Sequence, residues 1–368
     1  MIVPQIDLTR QHAALKAELL DAMERVLASS RFILGPEVQA LEAEVAALCG
    51  VRCGVGVASG TDALALALRA LGVGPGDEVV TPAFSFVASA SAILHAGATP
   101  VFVDIDPETY ALDPELVERA LTPRSRALVV VHLYGHPAAV DHLSRIAREH
   151  GVALVEDAAQ AVGASYAGRP VGGWGDLGCL SFYPTKNLAA CGDGGMVVTD
   201  REDLAERLRR LRAHGAVDRY HHVELGWCSR LDELQAAFLR VKLRRLRGWI
   251  EARRRLASRY AALLSGLQLT LPRERPPAWH VYNHYTVRSR QRDPLAKALS
   301  DLGVGTAVHY PLPLPGQPVF GGRRAEREFP RAWQAAREVL SLPCFPELTD
   351  AEVEFVAQAL AGALGRVG

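Results

Sequence analysis

Short apolar runs alternate with segments of helical periodicity along the chain as far as Asp200. The runs are rich in valine and leucine and predict strands at residues 51–58, 78–81, 100–104, 127–133, 152–157, 179–183 and 195–199. Between them, helical spacing of apolar residues predicts helices at 62–71, 85–95, 114–121 and 138–150. Strands that are apolar on both faces and separated by helices indicate an α/β fold with a mostly parallel sheet, covered on both sides.

After Asp200 the pattern becomes more charged. A charged helix at 202–214 precedes an irregular, aromatic stretch and then one long helix at 231–264, which is rich in arginine. A proline-rich connector and an α+β tail follow, ending in an amphipathic segment at 350–364. We therefore predict a large domain at 1–247, including an N-terminal helix, and a smaller α+β domain at 248–368.

The composition is that of an ordinary globular chain of 368 residues, with 49% hydrophobic and 22% charged residues. Basic and acidic residues number 41 each, so net charge gives no support to a nucleic acid or an anionic membrane as a partner. Residues 79–103 lack Asp, Glu, Lys and Arg over a length that could span a bilayer. Pro82, Gly97 and Pro100 interrupt this stretch, so we interpret it as strand, buried helix and strand.

The amino terminus and the cysteines indicate a cytoplasmic protein. The first residues, MIVPQIDLTRQ, have neither the basic nor the apolar region of a secretory signal. The six cysteines include no C-x-x-C pair, so we expect free thiols in a reducing compartment and no metal site.

Two candidate chemical groups follow predicted strands. Residues 59–62, Ser-Gly-Thr-Asp, precede an alanine-leucine helix, where backbone N–H groups and a hydroxyl can bind a phosphate. The same residue types are common helix caps, which is the structural alternative. Asp157 ends the strand at 152–157, at the edge of an open α/β sheet where ligands bind. A carboxylate there either pairs with a cation or caps the next helix.

Lys186 is the most informative single residue. The chain has four lysines among its 41 basic residues, so it uses arginine almost wherever a generic cation suffices. Lys186 follows a buried strand and precedes the glycine-rich residues 192–195, whereas the other three lysines lie in charged helical segments. A primary amine can form a Schiff base and a guanidinium cannot. The alternative is an ordinary surface lysine in a loop.

A phosphate cradle, a carboxylate and a Schiff-base lysine together match the requirements of pyridoxal 5′-phosphate, PLP. The carboxylate keeps the pyridine nitrogen protonated, so that the ring can accept electrons. The lysine binds the aldehyde and is then free to move a proton.

The chain resembles the DegT/DnrJ/EryC1/StrS family of PLP-dependent sugar aminotransferases nearly from end to end. The matching motifs occur in the family's order, at residues 32–36 (FILGP), 59–64 (SGTDAL), 156–160 (EDAAQ), 181–188 (SFYPTKNL), 192–195 (GDGG), 229–237 (SRLDELQAA) and 309–311 (HYP). The resemblance implies the fold-type I aminotransferase architecture, with a mostly parallel central sheet and a smaller C-terminal domain. It also implies a homodimer with shared active sites.

The resemblance implies roles in cofactor binding and catalysis. Lys186 would be the catalytic lysine, which binds PLP covalently and is released when the cofactor takes its amino form, PMP. Asp157 would pair with the pyridine nitrogen, and Gln160 and Phe86 would contact the ring. The phosphate ligands would be Gly60, Thr61 and Ser181.

The resemblance also implies substrate-binding roles and shows departures from the family. Arg230 matches an arginine that enters the neighbouring subunit's site, and His309 and Tyr310 match residues near the substrate, although a structural role is the alternative for His309. Cys228 stands where the family commonly has an asparagine that contacts the cofactor phosphate across the dimer. Residues 315–316, Pro-Gly, replace a histidine-bearing segment of the loop that contacts the sugar.

Three functions fit such a sequence. The first is transfer of an amino group, with glutamate as the expected donor, to a nucleotide-linked keto sugar. The second is sugar dehydration by a member of the same family, for which the resemblance implies a histidine at position 186. The lysine present there argues against this function. The third is a regulatory protein, suggested by the arginine-rich helix, although such a helix in a neutral chain is more typical of a solvated face. We expect the first, with no nucleic acid or membrane partner.

The position of amination is a finer expectation. Residues 131–137 (VHLYGHP) and 181–188 resemble the branch that aminates C3 of dTDP-linked 3-keto-6-deoxyhexoses. A branch that acts on C4 of 4-keto sugars shares most of these residues and is the alternative.

Overall fold

The computed structural model describes residues 1–322 and 325–367. The helices are α1 (Leu8–Ser29), α2 (Pro36–Leu48), α3 (Gly60–Ala70), α4 (Ala88–His95), α5 (Pro114–Ala120), α6 (Val140–Glu149), α7 (Glu202–Leu211), α8 (Glu233–Leu243), α9 (Leu246–Leu263), α10 (Arg292–Asp301), α11 (Pro330–Glu338) and α12 (Asp350–Val367). The strands are β1 (Cys53–Val57), β2 (Glu78–Pro82), β3 (Thr99–Val103), β4 (Ser125–Val131), β5 (Ala153–Asp157), β6 (Ser165–Tyr166), β7 (Arg169–Pro170), β8 (Leu177–Ser181), β9 (Gly195–Thr199), β10 (Ala278–Trp279), β11 (Tyr285–Arg288) and β12 (Val339–Leu342).

The seven strands expected from the apolar runs form one central sheet in the order β1-β9-β8-β5-β4-β2-β3. All neighbouring pairs are parallel except those that β9 makes with β1 and β8. The residues of β2, β5, β8 and β9 are almost all buried, because helices cover both faces of the sheet. The prediction of a mostly parallel, doubly covered sheet is confirmed.

Strand register brings three carboxyl-terminal residues together at one edge of the sheet. Val131 at the end of β4 lies opposite Asp157 at the end of β5. Asp157 in turn lies opposite Cys179, two residues before Ser181 ends β8. The side chains that follow these strands therefore converge beside one another, as they do in other open parallel sheets.

Small residues allow α3 to pack closely between the sheet and its neighbouring helices. Seven of its eleven residues are buried, all of them alanine or leucine. Its first turn lies at the same sheet edge as Asp157 and Ser181, because β1 leads directly into it. No helix in the described parts of the chain is both long and apolar enough to cross a membrane.

A second core forms around the two-stranded β11–β12 pair, with apolar residues of α9, α10 and α12. Val3, near the amino terminus, is buried in this core and pairs with Val304. The core of the large sheet includes Ile250 of α9, whereas Leu256 of the same helix belongs to the second core. We retain a domain division near residues 247–248 as a proposal.

The expectation of a single helix over 231–264 is wrong, because the chain forms α8 and α9 instead. A tight turn closes α8, in which the Arg245 N–H donates to the Lys242 carbonyl at 2.9 Å. Neither glycine nor proline occupies residues 244–245, where the break lies, although Gly248 follows in the first turn of α9, and the arginines at the break are good helix formers. Propensity and periodicity therefore gave no signal for it.

Candidate active site

A cavity of about 400 Å³ opens at the carboxyl edge of the central sheet. Its walls come from the first turn of α3, the ends of β4, β5 and β8, and the loop between β8 and β9. Of the residues singled out in the sequence, those lining it are Gly60, Thr61, Phe86, Asp157, Gln160, Ser181, Lys186, His309 and Tyr310.

The start of α3 forms one wall of the cavity. Ser59 caps the helix, since its Oγ accepts from the Asp62 N–H at 3.1 Å. The N–H groups of the first turn, at Gly60 and Thr61, have no partner within a helix and lie at its positive end. A Cβ atom on Gly60 would lie 2.6 Å from the Cβ of Ser181, so only glycine fits here. This wall has the chemistry of an anion site.

Asp157 is a buried carboxylate that faces the cavity. Its Oδ2 accepts from the Ser89 hydroxyl at 2.8 Å, and its Oδ1 accepts from the Ala159 N–H at 3.2 Å. Burial raises the pKa of Asp157, although these hydrogen bonds and the charge of Lys186 act in the opposite direction. A cation bound in the cavity would compensate the buried charge.

The preceding residue, Glu156, is also buried but is fully paired inside the protein. It lies 3.0 Å from His132 Nε2 and accepts the N–H groups of Gly172, Trp174 and Gly175 at 2.7 to 2.9 Å. Burial alone would raise the pKa of Glu156, but His132 and these N–H groups lower it. Of two adjacent buried carboxylates, only Asp157 is left for a ligand.

Lys186 reaches the same cavity from the loop between β8 and β9. Burial lowers the pKa of Lys186 to about 8, although the Asp157 carboxylate favours its charged form. About a tenth of the amine is therefore neutral at pH 7, far more than in an ordinary lysine, and the neutral form is the one that acts as a nucleophile or a general base.

A hydrogen bond joins Gln160, which follows β5, to Tyr310, which lies between α10 and α11. Gln160 Oε1 accepts from the Tyr134 N–H at 2.7 Å, and its Nε2 donates to the Tyr310 hydroxyl at 3.1 Å. Phe86 is 52% exposed and lies 5.8 Å from the Tyr310 ring, centroid to centroid. An exposed aromatic ring at a cavity wall offers a face for another planar ring to stack on.

His309 is held as a neutral imidazole. Its Nδ1 lies 2.9 Å from the Ser341 hydroxyl, and its ring stacks on His284 at 4.1 Å between centroids. Burial, followed by the positive charge of Lys186, lowers the pKa of His309 to about 4. With Nδ1 engaged, Nε2 is the ring nitrogen left for a ligand.

Cys228 and Arg230 do not line the cavity of their own chain. Cys228 is exposed, and its Sγ accepts from Arg230 Nη2 at 3.0 Å. The two residues lie beyond a loop, 215–226, that exposes Val217, Tyr220, Val223 and Leu225.

Sequence reasoning missed several residues of the site. Ser89 binds Asp157 directly, and His284, Tyr183, Thr185 and Asp193 line the cavity. Ser89 lies in a helix of small residues, where the sequence alone suggests that a serine serves close helix packing. His284 comes from a segment without motif signal, so only the tertiary structure brings it to His309.

The cavity combines an anion-binding helix start, a carboxylate suited to a cation, and an amine of lowered pKa. Within residues 1–322 and 325–367, no three histidine, cysteine or carboxylate side chains cluster as a metal site would require. The arrangement suits a phosphorylated, ring-nitrogen-bearing aldehyde that the amine can capture.

Curated relatives match almost the whole chain. A pleiotropic regulatory protein of Geobacillus stearothermophilus is 47% identical over 98% of both chains. The dTDP-3-amino-3,4,6-trideoxy-alpha-D-glucose transaminase of Streptomyces venezuelae is 49% identical over 94% of this chain and 92% of its own.

Solved structures also match almost the whole of this chain. The crystal structure of S. venezuelae DesV in complex with a ketimine intermediate has a TM-score of 0.97 at 47% identity, covering 100% of both chains. The Bacillus subtilis protein NtdA, solved with bound cofactor PMP, has a TM-score of 0.92 at 31% identity, covering 99% of this chain and 85% of its own. The expectation of a PLP-dependent aminotransferase is confirmed at the level of the family. Residues 13–361 match the model of the DegT/DnrJ/EryC1/StrS aminotransferase family, and the chain belongs to that family.

Proposed function

We propose that this protein transfers an amino group from L-glutamate, through PLP, to C3 of a dTDP-linked 3-keto-6-deoxyhexose. The observation that carries the proposal is the convergence of Lys186, Asp157 and the start of α3 on one cavity. The 49% identity to a transaminase named for a 3-amino dTDP-sugar supports C3 over C4.

The residues present fit PLP. Among the described residues, the buried Asp157 carboxylate forms no ion pair, so a protonated pyridine nitrogen would supply its missing countercharge. We propose that Gly60, Thr61 and Ser181 bind the phosphate. Gly60 has no side chain, which would collide with Ser181, and so the N–H groups at the start of α3 can face an anion next to the Ser181 hydroxyl. Phe86 and Gln160 would contact the ring.

When bound, PLP supplies an electron sink that allows a proton to leave the carbon bearing the amino group. We propose that Nζ of Lys186 accepts that proton, because its pKa of about 8 leaves about a tenth of the amine neutral at pH 7, far more than in an ordinary lysine. Asp157 holds the proton on the ring nitrogen and so maintains the sink. His309, neutral at physiological pH, and Tyr310 would hydrogen-bond the sugar.

A homodimer would complete each site. Arg230 lies outside the cavity of its own chain, and the neighbouring loop exposes four large apolar side chains, Val217, Tyr220, Val223 and Leu225. Such a surface is typical of an interface. We propose that Cys228 and Arg230 approach the partner's cavity, where Arg230 would bind a carboxylate or phosphate of the substrates.

We also propose a cytoplasmic location. All six cysteines are free, and the sugar nucleotides and amino acids that the reaction needs are intracellular metabolites.

The test is amination by the purified enzyme of a matched pair of acceptors. With L-glutamate and PLP, a dTDP-3-keto-6-deoxyhexose should yield the 3-amino sugar together with 2-oxoglutarate, both measured by NMR. The dTDP-4-keto isomer is the control. Amination of the 4-keto sugar alone would overturn C3, and release of no 2-oxoglutarate with either sugar would overturn the aminotransferase reaction.

A further inference from the structure

Away from the cavity, three side chains from three separate elements meet at one point, which we call the Lys242 cluster: Lys242 of α8, His12 of α1 and Cys191 of the loop after β8. Lys242 Nζ donates to His12 Nε2 at 3.1 Å and lies 3.7 Å from Cys191 Sγ. Cys191 Sγ lies 3.9 Å from the same imidazole nitrogen.

Lys242 is a buried cation without a carboxylate. Its side chain has 0% exposure, and its only hydrogen-bond partners among the described residues are His12 and Cys191. An ammonium group in such a position is costly unless an anion compensates it. Burial lowers the pKa of Lys242, whereas the neighbouring Cys191 raises it. His12 accepts from Lys242, which leaves Cys191 as the one neighbouring group that can become an anion beside the ammonium.

We propose that Cys191 is a reactive thiol, activated by the adjacent Lys242, and that it is a site of covalent modification by hydroperoxides and soft electrophiles. Cys191 is exposed at the surface, while Lys242 beside it is buried. This combination of access and adjacent positive charge is what makes a cysteine nucleophilic.

The other thiols differ from Cys191 in access or in environment. Cys49, Cys53, Cys179 and Cys344 are buried. Burial raises the pKa of Cys49 to about 12 and that of Cys344 to about 11, so both stay protonated and inert. Cys228 is exposed like Cys191, but its cationic neighbour, Arg230, is only half-buried and therefore better screened by water.

The reaction with a hydroperoxide balances within the cluster. The Cys191 thiolate attacks one peroxide oxygen, so that an S–O bond forms and the O–O bond breaks. The sulfur is oxidised by two electrons to a sulfenic acid, and the other oxygen leaves as an alkoxide, or as hydroxide when the oxidant is hydrogen peroxide. The Lys242 ammonium gives that oxygen a proton, which yields an alcohol or water and a neutral amine.

The location links the site to the cavity through the backbone. The Cys191 N–H donates to Gln235 Oε1 at 2.8 Å, which holds the loop against α8. Asp193 and Gly194, two and three residues further along, line the cavity.

The test compares Cys191, within the full-length enzyme loaded with PLP, with a free cysteine derivative in the same solution. Iodoacetamide labelling at neutral pH, followed by mass spectrometry, should modify Cys191 about tenfold faster than the free derivative. In denaturant the two rates should become equal. Hydrogen peroxide with dimedone should trap a sulfenic acid at Cys191.

Lys242→Met keeps the length and burial of the side chain without its charge. It should slow labelling of Cys191 about tenfold, and circular dichroism reports whether the variant is folded. A wild-type native-state rate at Cys191 equal to that of the free derivative, or an unchanged Cys191 rate in folded Lys242→Met, would overturn the proposal. The wild-type comparison stands even if Lys242→Met fails to fold.

Discussion

The Ser89 hydroxyl donates a 2.8 Å hydrogen bond to Oδ2 of Asp157, and both residues are buried. This bond stabilises the charged form of Asp157 but does not offset the effect of burial, which keeps its pKa raised. The charged carboxylate therefore destabilises the folded, cofactor-free protein, and a cation bound beside it would offset this effect. Such a trade between stability and function is common at active sites.

Asp157→Asn should stabilise the cofactor-free protein while removing activity. Because the pKa of the folded-state carboxyl is raised, its contribution to stability is lost as the pH rises through that pKa. At pH 7 the variant should melt roughly 2–4 °C higher, and the gain should shrink in acid, where the wild-type carboxyl is neutral too. Aminotransferase activity should fall by about 100-fold or more.

Glu156→Gln is the matched control for that prediction. Glu156 is equally buried but is paired with His132 and three backbone N–H groups, so its replacement should lower the melting temperature. Differential scanning fluorimetry of the two cofactor-free variants measures both signs. A lower melting temperature for Asp157→Asn than for the wild type at pH 7 contradicts this account of the buried charge.

The pKa of Lys186 gives a second prediction. In the cofactor-free protein, acylation of Lys186 should rise with pH with a midpoint near 8, well below that of the exposed lysines. Asp157→Asn should move the midpoint lower still, because it removes the negative charge that favours the ammonium form. Peptide mass spectrometry after brief acylation measures each lysine separately. An upward movement in the variant would mean that Asp157 does not act on Lys186.

Cys228→Asn should slow the loss of PMP during turnover. The family asparagine supplies an amide donor that a thiol does not replace, and a hydrogen bond to a charged group is worth roughly 1.5–3 kcal/mol. Cofactor dissociation should slow by about ten- to a hundredfold, with no change in the sugar accepted. Cys228→Ala is the control and should behave like the wild type. Equal dissociation rates for all three proteins would show that position 228 is neutral.

Mixed dimers test the shared site. Lys186→Ala and Arg230→Ala homodimers should each be inactive, but in a hybrid one of the two sites carries neither change. Random mixing should therefore restore about a quarter of wild-type activity. Activity that stays absent after mixing, with hybrid formation verified by native mass spectrometry, would place Arg230 in the site of its own chain.

The sheet and the core of the site could be predicted from sequence because they depend on contiguous patterns. All seven strands formed at the predominantly apolar runs, with ends within two residues of those predicted. Asp157 ends one of these strands and Lys186 lies in the loop after another, so the sheet edge brings them together. Their position in one cavity follows from topology alone.

Other features depend on contacts between distant segments, and the sequence carries no local signal for them. The bond from Ser89 to Asp157 joins residues 68 positions apart. The break between α8 and α9 has no glycine or proline at residues 244–245 to mark it. The meeting of His12, Cys191 and Lys242 requires three elements to pack, and Lys242 by its sequence alone reads as an exposed helical lysine.

The central claim, that Lys186 carries the cofactor, can be tested directly by borohydride reduction of the PLP-loaded enzyme followed by peptide mapping. The account predicts that the reduced cofactor is attached to the peptide containing Lys186, and that Lys186→Arg, which keeps the charge but not the primary amine, gives no adduct. The chain has only three other lysines, Lys16, Lys242 and Lys297, so the assignment is unambiguous. A specific adduct on one of those three, or none on Lys186, would contradict the account.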